Sequence, residues 1–542
     1  YDRFYKSCWN AAWQDAGYYS LAQLSAARED WEEALSEVDK SLLRNWHNLR
    51  GRHLKAAILR HLGRNDEAIA LIEDSLRIDR FNFGCGFEKY LITGEDSDLK
   101  ALISLMRPEG HNYEELALDY ASAGCWEEAL KVADTAIGQP VSDQTMLHYY
   151  KSWFLIRLDR KEEALAAIRE AEKQQPDCCF PNTLEAIQAL QAVIDFAAET
   201  PKTLYYLGNL WYDKRQYPEA IACWEASKKQ DETFPTVLRN LSLAYFNKLG
   251  KQEEAVVLLE KAFALDTTDA RVLMELDQLY KRLNRSHADR LAFLDKHKEV
   301  AFLRDDLYLE YITLLNQLGR YEEAIRMIDA RQFHPWEGGE GKVPAQYQLA
   351  RVELVKMLLS EGKYPEALNL IEECFTYPHN MGEGKLYGAQ ENDFNYYKAC
   401  ALQGLGKDQE AETLFLQASV GNSQPAAAMY YNDQKPDKIF YQGLALRKLG
   451  REDEARGRFN NLISYGEKHV YDVFKMDYFA VSLPDLQIWE DDMNKKNRIH
   501  CNYLMALGHL GLGNNEKAMK YFDIAAEMDN NHQGVQIHRE MI

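Results

Sequence analysis

The sequence predicts an all-α protein built as a solenoid of helical hairpins. Three observations predict it. Only 14 prolines occur in 542 residues, so little interrupts helix. A short acidic run ending in alanine recurs eleven times, with its closest spacings at 34 or 35 residues. Five residues before that alanine, eight of the eleven copies carry glycine. A fixed period of this length marks a supersecondary unit that stacks on copies of itself.

Each part of the unit follows from its residues. The alanines are Ala34, Ala68, Ala129, Ala164, Ala220, Ala255, Ala324, Ala367, Ala411, Ala455 and Ala518. Their small side chains suit a close approach of two antiparallel helices. Gly63, Gly124, Gly250, Gly319, Gly362, Gly406, Gly450 and Gly513 supply the left-handed residue that ends the first helix. Acidic residues then fall in the first turn of the second helix, where the positive end of the helix dipole favours them. Pro218 and Pro365 stand in that same turn, where a missing N–H costs nothing. Trp31, Trp126, Tyr217, Tyr321 and Tyr364 recur at one repeat position and are read as packing.

Longer gaps are expected to hold degenerate units. Phe87–Ile92, Asp98–Met106, Leu184–Phe196, Val272–Leu283 and Ala288–Phe293 each read as helix. The clearest unit is Leu204-x-x-Leu207-Gly208-x-x-Trp211 with Ala220 and Trp224, echoed by Tyr503, Phe522 and Ala525 and closed by a repeat-end Pro176 elsewhere. These residues resemble the tetratricopeptide repeat (TPR) family over nearly the whole chain. The resemblance implies a right-handed superhelix with about 11 clear and two or three degenerate repeats. It also implies an interaction scaffold whose partner is a protein or peptide, or an upstream domain of the same polypeptide. Two regions are expected: 1–300 with regular and degenerate repeats, and 301–542 with repeats spaced at 43 or 44 residues.

The longer repeats carry inserts between one unit and the next. Phe333–Val343 and Tyr377–Leu386 both contain Gly-Glu-Gly-Lys, at 339–342 and 382–385, with a weaker Gly466-Glu-Lys-His469 further on. Inserts in register should align along one edge. They lack the P-loop spacing, and no strand precedes them. Three readings stay open: ion pairs that brace the loops, a ligand or partner site, and a carboxylate pair of the glycosidase kind in Glu340 and Glu383. The candidate binding residues are His334, Trp336, Glu337, Glu340, Lys342, Tyr377, His379, Glu383, Lys385 and Tyr387. No catalytic residue, metal ligand set or cofactor is expected, and the chain alone is read as leaning away from an enzyme. Lys475–Asp485, with Tyr478 and Phe479, reads as an irregular apolar connection or a surface contact.

Composition narrows the function classes. With 64 Lys+Arg against 85 Asp+Glu, the net charge of −21 disfavours nucleic acid and anionic membranes. Nine scattered cysteines, with no Cys-x-x-Cys, fit neither a disulfide framework nor a zinc site. Free thiols fit a cytoplasmic location, and Cys178-Cys179 reads as a buried pair. No apolar run approaches the ~18 residues of a membrane span. The start at Tyr1 is read as processing or a cut from a longer chain, which would place any signal peptide upstream.

The three irregular segments at 333–347, 377–390 and 476–485 sharpen the resemblance. They are similar to the C-terminal TPR portion of large bacterial proteins in which a mutarotase-like β-sandwich domain of unknown function comes first. That resemblance implies a carbohydrate-related context and an alternative function. The Gly-Glu-Gly-Lys loops would then complete a glycan site with the sandwich.

Overall fold

The computed structural model describes residues 1–142, 144–336, 338–427, 433–474 and 488–542. Among these, 30 α-helices and two short 3-10 turns account for the regular structure, and there are no strands. The expected hairpins are present. Second helices begin at Trp31, Asn65, Trp126, Lys161, Tyr217, Gln252, Tyr321, Tyr364, Asp408, Glu452 and Asn515, each three residues before its alanine. All eleven alanines are 0% exposed. A larger side chain there would force two helices apart.

The turn glycines behave as their position demands, with φ between 65° and 77°. The three copies lacking glycine adopt the same geometry: Glu29 at 63°, Asp159 at 56° and Arg215 at 60°. Backbone hydrogen bonding therefore fixes the left-handed turn even where a Cβ makes it costly. Other glycines serve close packing. A Cβ on Gly208 would lie 2.4 Å from Trp224, and one on Gly443 would lie 2.4 Å from Phe459.

The degenerate units are also helical hairpins: Phe83–Thr93 with Asp96–Met106, and Ala270–Arg282 with His287–Lys296. Leu184–Phe196 stands as the expected extra helix. Two expectations need correction. Gly466-Glu-Lys-His469 is no insert but the end of helix Glu452–His469, where a Cβ on Gly466 would lie 2.7 Å from the Cys501 carbonyl. Of the adjacent thiols, Cys179 is buried but Cys178 is exposed, because φ of 59° at Cys178 turns the chain between them.

The chain packs as two compact units, Tyr1–Leu241 and Ser242–Ile542. The change of repeat length near residue 300 falls inside the second unit. No helix among the described residues is long and apolar enough to cross a membrane.

Candidate functional site

The two Gly-rich inserts of the second unit do meet. Gly341 N–H donates to Glu383 Oε2 at 2.7 Å, and Phe333 N–H donates to the Asn380 carbonyl at 2.8 Å. Asn380 Nδ2 donates back to the carbonyls of Ile328 and Arg331. Burial raises the Glu383 carboxyl above its ordinary range, and the nearby Glu340 carboxylate adds to that. Gly339 has no room for a Cβ, which would sit 2.2 Å from the Trp336 ring, so the indole packs directly against that backbone.

The remaining predicted residues divide. His334 is exposed, with Nδ1 3.1 Å from Asp305 Oδ2. Burial pulls Asp305 upward, but hydrogen bonds from His334 and Arg331 outweigh it and hold that carboxyl low. Lys342 is the first residue of helix Lys342–Ser360, and burial lowers its pKa. Lys385 donates to the Phe375 carbonyl at 2.9 Å and pairs with Glu391. His379 opens a 3-10 turn, Tyr377 is half-buried, and Tyr387 is fully exposed. His334, Trp336, Glu340 and Glu383 thus share one hollow of about 240 Å³, while Tyr377 and Tyr387 line another of about 500 Å³. Glu337 and segment 475–485, including Tyr478 and Phe479, lie outside the described residues.

A feature without a local sequence signal is the closure of the second unit upon itself. Arg290, 1% exposed, makes a two-pronged pair with Asp277 at 3.1 and 2.8 Å. The same guanidinium reaches Glu310 at 2.7 Å and Asn531 Oδ1 at 2.8 Å. Asn531 also donates to the Lys281 carbonyl, and its own carbonyl accepts from Gln317. Asn530 donates twice to Asn284, from its backbone N–H to Oδ1 at 3.2 Å and from Nδ2 to the backbone carbonyl at 2.9 Å. The amides of Gln346 and Gln533 face each other at 2.8 Å. Nearby, Trp489 is 1% exposed and donates to the Glu275 carbonyl at 3.1 Å, while Arg282 pairs with Asp491 at 3.0 Å.

This closure makes the short helix Gln533–Arg539 one wall of a cavity of about 570 Å³. The other walls come from the first helices of four hairpins: Lys342–Ser360, Asn392–Gly404, Pro436–Lys448 and Met493–Gly511. Leu349, Val352, Phe394 and Ile499 supply apolar surface. Lys438 pairs with Asp393 and stands 3.7 Å from Asp437. Burial opposes its charge, but the two carboxylates prevail and raise its pKa. His538, 1% exposed, has Nδ1 2.8 Å from the Gly534 carbonyl and 3.1 Å from the Tyr503 hydroxyl; because a carbonyl only accepts, the proton is assigned to Nδ1. Nε2 is left as an acceptor with no partner among the described residues. Burial pushes the His538 pKa down to about 4, so the ring is neutral at pH 7.

In the first unit, His61, Cys125 and Glu128 place three ligand-type atoms within 4.8 Å of one another. Glu128 there accepts from Arg60 at 2.8 Å, and burial raises the Cys125 thiol pKa well above its usual range. The cluster is built as an ion-pair node around Arg60.

Residues 49–82 and 114–177 match models of the tetratricopeptide repeat. The chain is 26% identical over 171 residues to the TPR repeat-containing protein YpiA of Bacillus subtilis (strain 168), a match spanning 28% of this chain and 39% of that protein. The chain therefore spans less than half the length of that curated relative. Solved structures with similar stretches include a tetratricopeptide repeat protein from Parabacteroides merdae, at 15% identity and TM-score 0.24, over 56% of this chain and 98% of that one. Another is a chain of Naa15/Naa10 bound to HypK-THB, at 12% identity and TM-score 0.25, over 96% and 95%. A third is YrrB, described as a TPR protein with an unusual peptide-binding site, at 14% identity and TM-score 0.17, over 44% and 96%.

Proposed function

We propose that the chain is an interaction scaffold that receives a segment of a partner polypeptide in the cavity of its second unit. The observation that carries this reading is the cavity itself. It is lined by first helices of four hairpins, the face that stacked repeats offer to partners. Its lining mixes apolar walls with a few fixed polar groups, the composition of a site that both binds and orients. The partner is a separate protein or peptide, with an upstream domain of the same polypeptide as the other source. On this reading the longer repeats of 301–542 carry the binding function, and 1–300 extends the scaffold. A photo-crosslinking side chain at Gln348, inside the cavity, should couple to one polypeptide. The same probe at Arg456, on an outward helix face, should not. Equal coupling at both positions would remove the cavity from the reading.

A glycan site at the loops is the second reading, favoured by the hollow that joins Trp336 to the Glu340 and Glu383 carboxylates. Calorimetry with a glycan panel tests it. Binding abolished by Trp336→Ala supports the loops as a site. No binding, together with a lowered melting temperature in Trp336→Ala, assigns them to bracing.

A further inference from the structure

We infer that the C-terminal end of helix Pro235–Leu249 and helix Ala270–Arg282 form a docking site for a partner segment in which tryptophan precedes two acidic residues. Residues 488–491 of the chain itself occupy that site until such a segment displaces them. The inference goes beyond the cavity reading, because none of the residues that hold the segment lines the cavity. Residues 488–491, Ile-Trp-Glu-Asp, lie outside any helix. Asn247 clamps their backbone on both sides of the tryptophan. Its Nδ2 donates to the Ile488 carbonyl at 2.8 Å, and its Oδ1 accepts from Glu490 N–H at 2.9 Å. Arg282 donates to the Trp489 carbonyl between them at 3.2 Å. A segment without secondary structure thus has its backbone satisfied by two side chains distant in sequence.

Trp489 is the anchor. It is 1% exposed, its ring meets Phe246 edge-on at 5.1 Å, and its Nε1–H donates to the Glu275 carbonyl at 3.1 Å. A buried tryptophan whose N–H has a fixed acceptor is the kind of residue that dominates a peptide interface. The acidic residues after it meet matching cations: Glu490 pairs with Lys248, and Asp491 with Arg282 at 3.0 Å. In a chain of net charge −21, two cations at one spot select an acidic segment over a basic one. Filling space would require only the ring. The clamp on the backbone beside it and the two ion pairs specify sequence and direction as well. Both helices open their hairpins, so the segment lies on the face that stacked repeats offer to partners. Glu490 remains exposed, which leaves an edge where displacement can begin. Tethering keeps the resident segment at an effective concentration of roughly millimolar, so a free copy competes poorly with it in the native chain.

The test uses a capped peptide Ile-Trp-Glu-Asp-Asp-Met, the sequence of residues 488–493, carrying fluorotryptophan and followed by fluorine NMR against the full chain. Trp489→Ala empties the socket and should bind the peptide about tenfold or more tighter than the native chain does. Adding Asn247→Ala should weaken that binding by about tenfold or more. A peptide with lysines in place of its acidic residues should not bind. The variant Glu490→Lys with Asp491→Lys keeps the tryptophan but repels Lys248 and Arg282. It should also take up the peptide more tightly than the native chain, and it decides the matter if Trp489→Ala does not fold by circular dichroism. No binding to a folded opened variant, or equal binding of the lysine peptide, would overturn the inference. So would equal affinity in native and opened chains, which would put the peptide elsewhere. Loss of fold in both variants would overturn it too, by showing the segment to be core. Crosslinking at Gln348 reports on the cavity alone, so the scaffold reading is judged separately.

Discussion

At the scale of single residues, the turn positions separate backbone geometry from side-chain choice. Glu29 and Asp159 hold a left-handed conformation that eight other copies assign to glycine. A non-glycine residue in that region is strained by roughly 1–2 kcal/mol, partly offset by the greater unfolded-state freedom of glycine. Glu29→Gly and Asp159→Gly are therefore expected to raise stability by about 0.5–1 kcal/mol each, measured by denaturant unfolding. Lower stability in both would contradict the strain argument. Two buried histidines give a pH signature. His53 in the first unit and His538 in the second have pKa values lowered from 6.5 to about 3 and about 4, chiefly by burial. Because the unfolded chain binds these protons first, their contribution is present above pH 6.5 and is lost as pH falls toward 4. The melting temperature should drop across that window, and His53→Phe with His538→Phe should flatten the drop. Glu310 acts lower, since burial opposes its charge but Lys281 and Arg290 hold its carboxyl well below the usual carboxylate range. Its contribution is lost only as pH falls below about 4.5. The turn glycines and interface alanines were legible because one local geometry repeats. Asp393, Lys438 and His538 were not, since nothing near each in sequence distinguishes it from a solvated polar residue.

At the scale of elements, the inserts show how a motif can be read correctly in place and wrongly in extent. The two Gly-Glu-Gly-Lys loops meet because Glu383 accepts from the backbone of Gly341. The Gly466 copy is helical because glycine there makes room for the neighbouring helix Met493–Gly511. Gly466→Ala should cost about 1–3 kcal/mol, the range for overpacking a tight contact, measured by thermal unfolding. A change below 0.5 kcal/mol would show that the helices yield. Arg290 joins the degenerate hairpin Ala270–Arg282 and His287–Lys296 to the C-terminal turn at Asn531. Arg290→Met leaves Asp277 buried and unpaired, with an expected loss of about 3–5 kcal/mol. The double variant with Asp277→Leu should recover much of it. Failure of that recovery would mean the pair does more than neutralise itself. The degenerate hairpins were visible from helical periodicity, but not their role as the anchor for the far end of the unit.

At the scale of the molecule, repetition explains length without a single growing core. Each of the two units stands on stacked hairpins, which is why 542 residues need no conventional globular domains. Sequence period shows that neighbours stack; it contains no term for contacts between residues 281–356 and 527–537, which lie far apart in sequence. Those contacts depend on accumulated curvature, set by small helix-to-helix rotations that residue patterns do not encode. They matter because they build the cavity that the functional reading uses. The most direct measurement is a disulfide trap of Asn284→Cys with Asn530→Cys, in a background where exposed Cys178 is serine. The two side chains touch each other's backbone in the folded unit. Mild oxidation is predicted to give a reducible intramolecular bond in nearly all molecules, with higher thermal stability. Absence of that bond in folded, monomeric protein would contradict closure of the second unit and, with it, the cavity.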